Sequence, residues 1–201
     1  MQIKRLAGLA LLAASAATLG GCATTTSISP DAEVHYDANY DFSDKKLIAD
    51  TLTASLLNTV DLSGTGKKPV MVVYPVANET SEHISTSGIT DDIQLALLRA
   101  GKYRFVSKTQ RDNLMAEQQH QQSNGDPSSR SAVGRQLGAD FILSGTLRSI
   151  EKKQQKQIRL TKKKMVYYSL NLELTDLSSG EIAWADKADL ARESSKPIIG
   201  W

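Results

Sequence analysis

The stretch Val166-Tyr167-Tyr168-Ser169-Leu170-Asn171-Leu172-Glu173-Leu174-Thr175 repeats with a period of two. Val166, Tyr168, Leu170, Leu172 and Leu174 fall on one side, and Tyr167, Ser169, Asn171, Glu173 and Thr175 on the other. Side chains of a strand point alternately to its two faces, so this is a half-buried antiparallel strand with a polar outer side. Upstream, Phe141, Leu143 and Leu147 alternate within Asp140 to Arg148. Downstream, Asp176 to Gly180 is a turn, and Glu181 to Asp189 a return strand with Ile182 and Trp184 inward. Three strands in this order form an antiparallel meander.

The residues before the meander alternate helix with strand. Ser43 is the expected N-cap of a first helix with Asp44 in its first turn, and Leu47, Ile48, Thr51, Leu52, Ser55 and Leu56 share a face. Pro69 to Val76 is apolar on both parities, as in a strand covered on both faces. Asn78 to Ser87 reads as a polar loop. Thr86 or Ser87 starts a second helix with the stripe Ile89, Ile93, Ala96, Leu97 and Ala100, closed by Gly101. Tyr103 to Val106 is a short strand. A polar helix from Ser107 to Gln122 and a shorter one ending at Gly138 follow. The expected fold class is therefore α/β: one small domain with a mixed sheet of about five strands, an antiparallel C-terminal meander, and helices mainly on one face.

At the other end, Lys4 and Arg5 precede the apolar run Leu6 to Leu19, and Leu19-Gly20-Gly21-Cys22 closes it around the chain's one cysteine. That is the layout of a secretory signal peptide, with an apolar run too short for a comfortable membrane span. The expected organisation is a signal peptide at 1–21, a lipidated flexible tether at 22–42 and a globular domain at 43–201. The composition, 40% hydrophobic and 23% charged, is globular. The net charge of +2 falls to near neutral without Lys4 and Arg5, which gives no reason to expect a nucleic-acid binder.

No catalytic constellation is expected. His35, His83 and His120 lie in polar segments and read as exposed, with no metal-ligand spacing. Gly64-Thr65-Gly66-Lys67 lacks the strand and the Ser/Thr of a Walker loop. Asp91 and Asp92 suit a helix start better than acid–base work. No cofactor, metal or small-molecule substrate is expected. One local feature stands out: Lys152, Lys153, Lys156, Arg159, Lys162, Lys163 and Lys164, opposed by Glu151, form a basic hairpin tip. Such a tip attracts an acidic protein surface, anionic lipid or an anionic glycan, or else serves as a soluble, pairing-resistant edge.

Several segments together resemble a known family. Leu-small-small-Cys resembles the bacterial lipobox. His35-Tyr36-Asp37, the strand running into Asn78, Gly101-Lys102 and Phe105-Val106-Ser107 match in order and spacing, as do Leu137 to Gly145 and Gly180-Glu181-Ile182-Ala183-Trp184. This set resembles the LpoB family, outer-membrane lipoprotein activators of class A penicillin-binding proteins. The resemblance implies a non-enzymatic domain similar to the amino-terminal domain of TolB, acylated at Cys22, anchored in the outer membrane and facing the periplasm. It implies a class A penicillin-binding protein as partner, the membrane only through the anchor, and activation by preference for one synthase conformation. Ala23 rather than Asp after Cys22 accords with outer-membrane sorting. The family's docking surface does not carry over by motif. The hairpin residues Arg159, Lys156, Lys162 and Lys163, or Asn78 in its loop, are the expected contacts. The alternative is a TolB-like or curli-secretion-like envelope assembly component.

Overall fold

The computed structural model describes residues 25–60, 66–121, 133–153 and 161–197. Residues 1–32 and 33–201 are separate units. Of the first, the described part holds one turn, in which Ala32 N–H donates to Ser29 O at 3.0 Å. Cys22 and the signal segment lie outside the described residues.

The second unit contains α1 (Phe42–Thr59), β1 (Val70–Val73), β2 (Ala77–Glu79), α2 (Ser87–Arg99), β3 (Arg104–Phe105), α3 (Lys108–Gln121), β4 (Phe141–Lys153), β5 (Thr161–Asp176) and β6 (Ile182–Pro197). A helical turn at 133–136 precedes β4. The six strands form one mixed sheet in the order β3-β1-β4-β5-β6, with β2 also on β4. β1 is parallel to β3 and β4, β2 is parallel to β4, and β4–β5–β6 is the antiparallel meander. The α/β fold expected from the sequence is the fold observed.

The β4–β5 register runs from Phe141↔Asp176 to Lys153↔Lys164 and sets Leu143 opposite Leu174 and Leu147 opposite Leu170. These residues are almost fully buried beneath α1 and α2. α1 contributes Ile48, Leu52 and Leu56, and α2 contributes Ile89, Ile93 and Leu97. Neighbouring β6 adds Trp184 and Ala188. At one end of the opposite face, Val72, Tyr74, Ile142 and Leu177 form a smaller cluster against Met115 of α3 and Leu137. α3 is polar and is held there largely by one cation. Arg111, 5% exposed, lies over the Tyr74 ring at 5.6 Å, donates to Val73 O, and takes Asp112 at 2.8 Å.

Several elements differ from the sequence expectation for identifiable reasons. The continuous strand Pro69 to Val76 is divided at Pro75, which lacks an N–H for the ladder. α1 is capped by Asp41, not Ser43: Asp41 Oδ1 accepts from Ser43 N–H and Asp44 N–H, and Asp44 Oδ2 accepts from Asp41 N–H. The buried stripe of α1 is rotated, so Leu47 is 52% exposed while Ala49 and Thr53 are buried. Thr86 stands at the N-cap of α2 but donates its hydroxyl to Val76 O instead of capping. Ile182 faces outward, 58% exposed, although Trp184 is buried. A bulge explains this: Leu174 pairs Trp184 but Thr175 pairs Ile182, and one extra residue turns the strand over. Residues ahead of position 43 also pack on the domain, with Ala38 fully buried and Tyr40 edge-on to Tyr168 at 5.6 Å.

Gly145 lies in β4 opposite Leu172, where a Cβ would collide with the Leu172 side chain and stand 2.7 Å from Asn171 O. Gly145→Ala is expected to lower stability by about 1–3 kcal/mol through overpacking, read as a fall in urea midpoint. Leu170→Ala, which empties a fully buried site, is expected to cost about 2–5 kcal/mol on the same scale.

Candidate docking surface

β4, β5 and β6 present their second face to solvent, and the register arranges it in rows. Arg148, Ser169 and Asp189 form one row; Ile150, Tyr167 and Ala191 the next; Lys152, Met165 and Glu193 the third. Ile150 is 61% exposed and Met165 48%. The middle row is apolar and continuous across three strands, while its flanks carry both charges. Asp189 ties the surface together. It pairs with Lys187 at 2.8 Å and accepts from Ser169 Oγ at 2.7 Å. These bonds, with one from the Tyr167 hydroxyl, hold its carboxyl down at about 2. The same contact, from the other side, raises the Tyr167 phenol. Arg148 reaches Glu79 of β2 at 2.8 Å. Rigid aromatic and aliphatic anchors inside a polar rim are the ordinary composition of a protein-binding patch.

The residues singled out in the sequence are distributed unevenly around this face. Lys156 and Arg159 lie outside the described residues. Lys162 and Lys163 are exposed on β5 at the base of the hairpin. The basic run is more compensated than its spacing implied. Glu151 takes both Lys153 at 2.6 Å and Lys164 at 3.3 Å, and Glu193 of β6 takes Lys163 at 2.6 Å. Glu193 lies beyond the expected end of its strand at Asp189, which is why it was missed. Asn78 sits on β2 and organises its own loop: it donates to Glu82 O and Ile84 O and accepts from Thr80 N–H and Oγ1. Tyr168 anchors that loop by donating to Glu82 Oε1 at 2.6 Å.

His35 is not the exposed histidine the sequence implied. It is half-buried, with Nδ1 2.5 Å from Asp41 Oδ2 and Nε2 3.3 Å from Glu33. The buried Asp44 carboxylate pairs with Arg192 of β6. His35, Asp41 and Asp44 bring three donor atoms within 4.8 Å of one another. The Arg192 guanidinium occupies Asp44, and His35 is committed to Asp41, so the group is an ion-pair network rather than a set of open metal ligands. Its place explains its role: it ties the segment from Glu33 and the start of α1 to the last strand. Lys164 adds a hydrogen bond to Asn39 Oδ1 at 2.5 Å.

The Ile150–Tyr167–Ala191 row was missed by sequence reasoning because Ile150 follows Arg148, where the strand was expected to end. Tyr167 stood on the polar parity of β5, and that was the available signal.

A family model described as peptidoglycan-synthase activator LpoB matches residues 44–190. The chain belongs to the LpoB family. The fold is similar to the LpoB C-terminal domain from Salmonella enterica and to that from Escherichia coli. Each is 24% identical with a TM-score of 0.53, covering 73% of this chain and 98% of the other. No curated sequence matches the chain. Membership places it among regulatory activators rather than known enzymes. Among the described residues, no helix is long and apolar enough to cross a membrane.

The His35–Asp41 contact makes a pH-dependent prediction. The Asp41 hydrogen bond raises the His35 pKa despite partial burial. Burial pushes the Asp41 carboxyl up, but the His35 and backbone hydrogen bonds hold it down overall. The raised histidine stabilises fully below its unfolded value and loses that contribution as pH rises through its folded value. The lowered carboxyl contributes above its unfolded value and loses this as pH falls. The stability gap between wild type and His35→Ala is therefore expected to be larger near about pH 5.5 than near about pH 8.5, checked by urea midpoints at both. Arg192→Met, which strands the Asp44 charge, is expected to cost about 3–5 kcal/mol, and Asp44→Asn in the same chain to restore part of it.

Proposed function

We propose that this protein is a lipid-anchored outer-membrane activator that faces the periplasm, binds a bifunctional class A penicillin-binding protein and stimulates peptidoglycan synthesis. The family match over residues 44–190 carries this reading. In it, the signal peptide at 1–21 is removed and Cys22 is acylated. Three acyl chains, at about 0.8 kcal/mol per buried methylene, make the anchoring effectively permanent where one chain is marginal. The domain acts without chemistry of its own, by binding the synthase's active conformation more tightly than its resting one.

The Ile150–Tyr167–Ala191 row is the centre of the docking surface in this proposal. Lys162 and Lys163 at the base of the hairpin form its charged flank, Lys156 and Arg159 are further contacts in the proposal, and Asn78 acts by holding the adjacent loop. The apolar anchors supply residence time, and the charged flank supplies orientation and encounter rate. In this proposal residues 23–32 serve as the tether between the anchor and the domain. Fully extended, that is about 33 Å at about 3.3 Å per residue, so the partner's docking domain must stand close to the anchor.

The test is glycan polymerisation by a purified class A synthase with and without the full-length chain. Stimulation by wild type is expected. Tyr167→Ala and Ile150→Ser are expected to weaken synthase binding roughly tenfold or more with the urea midpoint little changed. Absence of stimulation by wild type would overturn the reading. Cys22→Ser is expected to move the protein out of the membrane fraction on cell fractionation, and retention there would remove the anchor from the account.

A further inference from the structure

An open cleft of about 660 Å³ lies at the end of the sheet away from the hairpin, where β1, β3 and β4 begin. Lys68, Arg104 and Arg135 line it together with Lys67, Asp140 and Asp176. The carboxylates are engaged elsewhere. Asp140 Oδ2 accepts from Val70 N–H at 2.7 Å. Asp176 Oδ1 accepts from Ser178 N–H at 2.7 Å, Ser178 Oγ at 2.6 Å and Ser179 N–H at 3.3 Å. Those bonds hold the Asp176 carboxyl below its ordinary range. Among the described residues, neither carboxylate forms an ion pair with Lys68, Arg104 or Arg135.

The arginines are differently placed. Arg104 donates Nε to Lys68 O at 3.0 Å, which fixes its guanidinium and leaves the terminal nitrogens as donors. Arg135 is exposed on the helical turn before β4. Phe141 and Leu177, both nearly buried, give the cleft an apolar floor. A guanidinium fork is suited to two oxygens of one phosphate or carboxylate, and converging forks to a ligand that carries several such oxygens.

We propose that this cleft binds a small polyanion bearing clustered phosphate or carboxylate groups. The site is separate from the docking face. β4 runs thirteen residues from Phe141 in the cleft to Lys153 in the hairpin, roughly 40 Å at about 3.3 Å per residue. It therefore offers a second input to the domain, and it stands whether or not a synthase is the partner.

Titration calorimetry on the full-length protein in detergent tests this, with inorganic pyrophosphate as the phosphate probe and citrate as the carboxylate probe. Saturable binding of at least one probe is expected, and the tighter one identifies the ligand's chemistry. Arg135→Gln, which removes no described contact and so keeps the fold, is expected to weaken that binding roughly tenfold or more. Arg104→Gln should do the same, with its urea midpoint measured alongside. Lys163→Gln, at the far end of the sheet, should leave binding unchanged. No saturable binding of either probe, binding indifferent to Arg135→Gln, or equal losses from Arg135→Gln and Lys163→Gln would overturn the proposal.

Discussion

The register between β4 and β5 is the constraint on which the rest of this structure depends. Leu143↔Leu174 and Leu147↔Leu170 point to the helices, while Thr146↔Asn171 and Ile150↔Tyr167 point to solvent. A slip of one residue would exchange the two faces completely, placing Asn171 and Glu173 under α1 and α2. Gly145 helps to prevent that slip, because its missing side chain is what allows Leu172 to sit opposite it. One pairing thus specifies both the core and the exposed row.

The second constraint joins the ends of the fold. Arg192, near the end of β6, reaches the fully buried Asp44 in the first turn of α1. A carboxylate there is tolerable only with its charge and lone pairs engaged, by the guanidinium on one side and Asp41 N–H on the other. The same cluster captures His35 and, through Asp41, orders the residues before the helix. Tyr40 against Tyr168 extends the attachment along β5. The approach to α1 is consequently part of the domain.

The legible parts of the fold were those written in local periodicity. Strict alternation from Val166 to Thr175 specified β5, and the apolar stripe of Ile89, Ile93 and Leu97 specified α2. Gly101 and Gly180 marked their turns correctly, at φ +69° and +78°, where a side chain is disfavoured. What escaped was written in contacts between distant residues. Arg111 holds the polar helix α3 to β1 through a ring and a carbonyl that no helical period reveals. Ile182 was assigned inward because parity was counted without the bulge. The strands were judged to end at Arg148 and Asp189, where apolar alternation stops. Backbone pairing continues well beyond those points because one face is open to water, and there the side chains need no apolar pattern. That error hid Ile150, Glu193 and Arg192 together, and with them the exposed row, the neutralising partner of Lys163 and the lock on Asp44.

For a domain proposed to act by binding alone, this division of labour has an energetic consequence. A tenfold bias between two conformations of a partner requires about 1.4 kcal/mol of differential affinity, less than one well-placed aromatic anchor contributes. Contacts that bind both conformations equally add affinity without activation. In the proposed docking mode the apolar row provides anchors of that size, and the charged pairs beside it provide direction. Lys163–Glu193, Arg148–Glu79 and Lys187–Asp189 are all exposed pairs, each worth little to the fold. Their cost to open is correspondingly small, so a partner with matching charges can exchange them for its own. The side chains least important to stability are therefore the ones best suited to distinguish one shape of a partner from another.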